Sequence, residues 1–294
     1  MSTESYYVPH QSRWPILASI ALFMMAMGAG GFINNLSAQD GGGFSGFILL
    51  VGAGLLAVIL IGWFRNVINE SRAGMYSDQM DASYRWGMSW FIFSEIMFFA
   101  AFFGALFYVR TLAVPWLGGE GDKGITNMLW QGFEAQWPLM TTPDMESFPG
   151  PQAVIDPWHI PLLNTVLLLS SSVTVTLAHR ALKQNNRDWI VIWMAITVLL
   201  GVTFIYFQAE EYVVAYQELG LTLNAGIYGA TFFILTGFHG LHVTLGTFML
   251  LVIWFRVMRG HFSPKQHFAF EAVSWYWHFV DVVWVGLFLF VYIL

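Results

Sequence analysis

Cysteine is absent from the 294-residue chain, which removes disulfides and thiolate metal sites together and leaves the redox compartment unreadable from thiol usage. Any metal would have to be held by histidine and carboxylate. Charge is scarce too: Asp, Glu, Lys and Arg are 10% of the residues, against about 25% in an ordinary soluble domain. A water-soluble fold of this size is not expected. The chain has no block of like charges, no glycine-rich phosphate loop and no basic aromatic stripe, so nucleic acids and nucleotides are poor candidates as partners. The first apolar run follows a polar stretch ending in Arg13 and lacks an A-x-A-like cleavage site, so it is expected to stay in the protein as a span.

Apolar and aromatic residues are abundant, at 57% and 18%. Trp14, Trp63, Trp86, Trp90, Trp116, Trp158 and Trp189 lie near the ends of apolar runs, where a ring with one polar atom settles at the headgroup level. A bilayer core needs roughly 20 apolar residues of helix. Seven stretches meet that length, approximately Trp14–Ile33, Phe44–Phe64, Trp86–Val109, Trp158–His179, Trp189–Gln208, Gly226–Phe255 and Ala272–Leu294. The runs are continuously apolar rather than alternating, which favours helices over a barrel. The expected fold is an all-α integral membrane protein with seven transmembrane helices.

Charge orients it, because short cytoplasmic loops accumulate Lys and Arg. With the N-terminus inside, the inner segments hold ten of the twelve bases: Arg13, Arg65, Arg72, Arg85, Arg180, Lys183, Arg187, Arg256, Arg259 and Lys265. The outer side keeps Arg110 and Lys123 and carries ten acids: Asp40, Glu120, Asp122, Glu134, Asp144, Glu146, Asp156, Glu210, Glu211 and Glu218. The N-terminus is expected in the cytoplasm and the C-terminus outside. One connection, Thr111–Pro157, is long and holds one base against six acids. A loop of this length generally has a function or structure of its own. It reads either as a solvated loop or as a docking surface for a basic soluble partner, which would act mostly on the association rate.

The first two spans contain Gly28, Gly30, Gly31, Gly52 and Gly54 and no ionisable residue in their apolar cores, whereas spans three, six and seven contain several. Small residues permit close approach of helices. We therefore expect a two-helix unit at 1–64, a cytoplasmic connection at 65–85, and a five-helix bundle at 86–294 that includes the loop 111–157.

Glu95 sits mid-way along the third span, where an isolated charge costs at least a few kcal/mol. It is expected to be protonated or paired, either as a proton-relay group or as a polar anchor between helices. His239 and His242 are three apart in the sixth span, and His278 and Asp281 three apart in the seventh, so each pair shares a helix face. Imidazole and carboxylate suit iron, copper or zinc. The same four groups equally suit a hydrogen-bond network that fixes helix packing.

Two long stretches, Thr231–His242 (TFFILTGFHGLH) and Phe270–Trp284 (FEAVSWYWHFVDVVW), resemble the signatures of subunit III of the haem-copper cytochrome c oxidases, in its bacterial aa3-type form. Ser94-Glu95 between Phe-rich flanks, Pro161–Thr165 at the start of the fourth span, and Gln208–Tyr212 near the end of the fifth resemble the same family. The resemblance covers the chain except the long loop. It implies two bundles, helices 1–2 and 3–7, with a V-shaped cleft holding phospholipid. It implies no cofactor and no metal in this chain: haem a, haem a3, CuA and CuB belong to subunits I and II, the expected partners, beside an optional small subunit IV and a docked cytochrome c. Glu95, His239, His242, His278 and Asp281 then become buried polar or proton-related groups, with no catalytic residue. The implied lipid-binding residues are Trp63, Glu70, Arg256 and His261, since a guanidinium can grip a phosphate with two hydrogen bonds.

The chain departs from the mitochondrial pattern at Phe64 and at Met75, Tyr76 and Ser77. The implied function is non-redox support of an enzyme that moves electrons from cytochrome c to oxygen and pumps protons. The implied subunit stabilises the core against inactivation in turnover, aids proton uptake and offers oxygen a lipid-lined path. Glu70, Asp78, Asp81, His261 and His267 could form a proton-collecting inner face. The implied location is the bacterial inner (plasma) membrane, multi-pass, with a periplasmic C-terminus. Subunit III of a quinol oxidase and, from another class, a proton-coupled transporter using Glu95 and Asp281 are the alternatives. The second lacks the internal repeat or broken helices that transporters usually show.

Overall fold

The computed structural model describes residues 12–38 and 43–294, so Asp40 lies outside the described residues. Among them the structure is helical, and seven helices are long and apolar enough to cross a membrane: Trp14–Leu36, Gly43–Arg72, Asp78–Leu117, Ile160–Lys183, Arg187–Gln217, Gly226–Met258 and Phe268–Ile293. The fold is thus the expected all-α membrane protein. Most helices outrun the apolar stretches read from the sequence. At 1.5 Å per residue the third would extend about 60 Å, twice a bilayer core, because π-helical hydrogen bonding at Val109–Ala113 carries it on to Leu117.

The ends follow local chemistry. Pro15 and Pro161 stand in the first turns of spans one and four, where a missing N–H leaves no partner unmet. The Asn186 side chain accepts from Trp189 N at the start of span five. Asp78 and Asp81, Asp188 and Glu271 occupy first turns, and Arg72, Arg180, Lys183 and Arg256 last turns, each complementing the helix dipole. Bases therefore stand in the last turns of spans two, four and six.

Two compact units result, one up to Tyr84 and the other from Arg85. In the first, spans one and two pair closely. A Cβ on Gly28 would collide with the backbone nitrogen of Leu49, and one on Gly52 would come within 2.9 Å of Met25 N, whereas Gly30 and Gly54 face open space. The second unit centres on Trp277, which is fully buried. Its ring fills the gap left by two missing side chains, since a Cβ on Gly201 of span five or Gly246 of span six would come within 3.0 Å or less of the indole. Its Nε1 donates to Ser171 Oγ of span four at 2.8 Å. One side chain of span seven thus joins three neighbours.

The long loop is folded. After a short helix at Gly124–Leu129 it buries Phe133 and Leu139, lays Trp137 edge-on against Tyr228 (5.4 Å), and donates from Gln152 N to the Leu219 carbonyl (2.9 Å). It caps the bundle end that joins spans five and six. If Trp277 needs the Gly246 notch, Gly246→Val should cost about 1–3 kcal/mol by overpacking. Gly240→Ala on the same helix, with nothing within 4 Å of the added atom, should stay within about 0.5 kcal/mol. Equilibrium unfolding in mixed micelles measures both.

Candidate functional site

The polar side chains of the second unit form a seam through its apolar interior. Near mid-depth, His242 Nε2 lies 2.9 Å from a Glu95 carboxyl oxygen, tying span six to span three. His242 Nδ1 lies 2.6 Å from the Phe238 carbonyl, which can only accept, so Nδ1 carries a proton. Nε2 then either accepts from a neutral Glu95 or donates to its carboxylate, the proton sitting at one end or the other of the same bond. Phe99 and Tyr276 pack against the imidazole at 5.0 and 6.3 Å and keep the pair in an apolar shell.

The other groups singled out in spans six and seven do not converge. His239 is buried, its Nε2 3.2 Å from the Val280 carbonyl, with its ring against Trp284 and Phe204. His278 turns the other way, its Nδ1 2.8 Å from Ser172 Oγ and its Nε2 3.4 Å from Thr176 Oγ1, both on span four. Asp281 is buried, with Oδ2 3.6 Å from His278 Nδ1 one turn away. Span seven contacts both four and six. His278 turns to span four, while span seven meets His239 with the Val280 carbonyl and the Trp284 ring, neither of them a metal ligand. The possible four-ligand metal centre therefore does not form.

Further bonds join helices along the seam: Trp284 Nε1 to Thr165 Oγ1 at 2.9 Å, Thr174 Oγ1 to Thr197 Oγ1 at 2.8 Å, and Tyr212 Oη to Thr236 Oγ1 at 2.7 Å. Sequence reading missed one part of it. Glu211, counted above among the outer loop acids, is 2% exposed, because span five runs on to Gln217. It accepts from Tyr292 Oη (2.6 Å) and from Gln208 Nε2 (3.0 Å). A second missed group lies at the basic end, where the ligand-type atoms of His179, His267 and Glu271 lie within 4.8 Å of one another. The four-residue spacing of His267 and Glu271 was a signal, but nothing local reveals that span four brings His179 to them.

The residues implied for lipid lie toward or just beyond the C-terminal ends of spans two and six. Trp63 is half-buried near the end of span two, and Glu70 accepts from Tyr76 Oη at 3.0 Å. Burial, together with hydrogen bonds to Tyr84 and Glu70, pushes the Tyr76 hydroxyl well above its ordinary pKa. The Arg256 guanidinium stacks over Phe262 at 4.5 Å, and His261 N donates to the Arg256 carbonyl. In the long loop, backbone donation from Ser147 holds Asp144 below the usual carboxylate range. Asp156 is lowered likewise, first by the Trp158 N–H at 2.9 Å and then by His159 at 2.7 Å.

Fold and seam together define a multi-pass membrane protein whose buried polar groups join its helices. A family model described as Cytochrome c oxidase subunit III matches residues 4–294. The chain is 39% identical over 293 residues to "Cytochrome c oxidase subunit 3" of Prototheca wickerhamii, covering 99% of this chain and 98% of that one. Identity is 37% over 288 residues to the protein of that name from Marchantia polymorpha (98% and 95% covered), and 35% over 291 residues to that from Neotragus moschatus (99% and 97% covered). The chain belongs to the cytochrome c oxidase subunit III family and forms part of an oxidase complex with other oxidase subunits, in aerobic respiration and proton transport.

One outcome tests the seam and a second the long loop. A double-mutant cycle on Glu95→Gln and His242→Asn should give a coupling of about 0.6 to 1.7 kcal/mol, the range of interhelical hydrogen bonds in membranes, read by unfolding in micelles. Asp156, with its folded pKa depressed, contributes stability that is complete above the ordinary carboxylate pKa and lost as pH falls through the lowered value. Asp156→Asn should therefore flatten the acid limb of the curve of thermal midpoint against pH.

Proposed function

We propose that this chain is a non-catalytic subunit that carries no redox centre, seated on subunits I and II, which hold haem a, haem a3, CuA and CuB. The assembled enzyme is a proton-translocating cytochrome-c oxidase. The single observation that favours a packing role is the commitment of the ionisable seam to helix joining, above all Glu95 to His242. Assembly has its own support: the His278 side chain is 38% exposed near the middle of span seven. Such a group is costly against lipid. Against the face of another subunit it can be covered or hydrogen-bonded, so we assign the Ser172, Thr176 and His278 face to a partner.

Trp63, Glu70, Arg256 and His261 are assigned to phospholipid headgroups. Arg256 carries that assignment best, since a planar guanidinium, here stacked over Phe262, matches phosphate geometry with paired hydrogen bonds. Glu70, Asp78, Asp81, His261 and His267 are assigned to the proton-uptake face. The orientation is N-terminus in and C-terminus out, in a bacterial inner membrane, because the bases fall on alternate connections.

Purification from native membranes through a tag on this chain tests the reading. A co-purifying protein with a haem a spectrum is expected, and its absence sinks the oxidase assignment. In the same preparation Arg256→Ala should lose bound phospholipid; an unchanged phosphorus content per complex removes Arg256 from the lipid site.

A further inference from the structure

At the basic end of the second unit, His179 from the last turns of span four meets His267 and Glu271 from the start of span seven. Their ligand atoms lie within 4.8 Å of one another, and all three residues are half-buried. Two features go beyond proximity. The Nε2 atom of His179 is buried with no hydrogen-bond partner. His267 Nδ1 lies 3.2 Å from the Ser263 carbonyl, which can only accept, so the proton sits on Nδ1 and the Nε2 lone pair is free. Donation from the second nitrogen to a carbonyl is how metal-binding histidines are commonly oriented.

The supporting shell is held as well. Arg85 Nη1 lies 2.6 Å from Glu271 Oε2, which fixes the carboxylate. The preceding loop is pinned by Arg187 donating to the Phe262 carbonyl at 2.7 Å and by Gln266 N donating to Ser263 Oγ at 3.0 Å.

We propose that His179, His267 and Glu271 form a divalent transition-metal site, for zinc in the first place, that fastens span four to the start of span seven. Two imidazoles and one carboxylate are a zinc ligand set, and the fourth position falls to water. The imidazole pair selects against magnesium and calcium, which take oxygen ligands. Ligands 2.0–2.1 Å from a tetrahedral zinc stand about 3.4 Å apart, so atoms now within 4.8 Å of one another close the site by drawing together by at most about 1.4 Å. This site is separate from the Glu95–His242 pair and from the groups assigned to lipid, but it shares His267 with the proton-uptake face, and a zinc-bound His267 leaves proton collection to the other groups of that face.

The test uses the intact oxidase complex containing this chain, treated with chelator, given one equivalent of zinc sulfate and freed of unbound metal. Retention of one zinc per complex is expected, with X-ray absorption at the zinc edge reading two imidazole nitrogens and one carboxylate oxygen. His179→Gln and Glu271→Gln should lose that zinc while the haem spectrum stays unchanged. Retention of zinc by both variants, or a first shell without the imidazole pair, overturns the proposal. Should the variants fail to assemble, the first shell of the wild-type complex decides it alone.

Discussion

Trp277 is the residue on which the larger unit depends. Inside a bilayer helices gain little by hiding apolar surface from one another, since lipid tails are equally apolar, and association rests on close packing and internal hydrogen bonds. Trp277 supplies both. Its ring occupies space that Gly201 and Gly246 leave open, and its one polar atom finds Ser171. Trp284 does the same two turns further on, stacking edge-on with Phe204 at 4.9 Å and donating to Thr165. A large flat side chain with a single donor suits this task, because it fills a groove and leaves one hydrogen bond to place.

The same constraint explains the fate of the ionisable groups. Glu95 and His242 can exist in the apolar interior because each satisfies the other and the Phe238 carbonyl satisfies the second ring nitrogen. Glu211 is held by Tyr292 and Gln208. The exceptions are informative. His278 is partly open at mid-span although Ser172 and Thr176 meet its ring nitrogens, and Asp281 beside it is buried with a 3.6 Å contact to His278. A membrane protein leaves such groups where another protein covers them or where they have work to do, which accords with a chain that belongs to a multi-subunit oxidase.

The acidic loop gives a second case of structure created by contact. Six prolines and six acids read as an irregular solvated connection. Yet Phe133, Leu139 and Thr142 are buried, and the loop's backbone bonds to Leu219. The sequence shows the length and charge of the segment; its packing depends on the 217–226 connection, which is remote in the chain.

Seven spans and their order were legible in the residues, because apolar length is a local quantity. Glu95 was legible as a paired group, since no isolated charge survives at that depth. What the residues alone left open was which polar groups meet. His239, His242, His278 and Asp281 share helical spacing, and spacing fixes a face without fixing its neighbour. Span seven turns His278 toward span four and meets His239 through the Val280 carbonyl and the Trp284 ring. That facing separated the four, sent His242 to Glu95, buried Glu211, and brought His179 to His267 and Glu271 across a gap of nearly ninety residues.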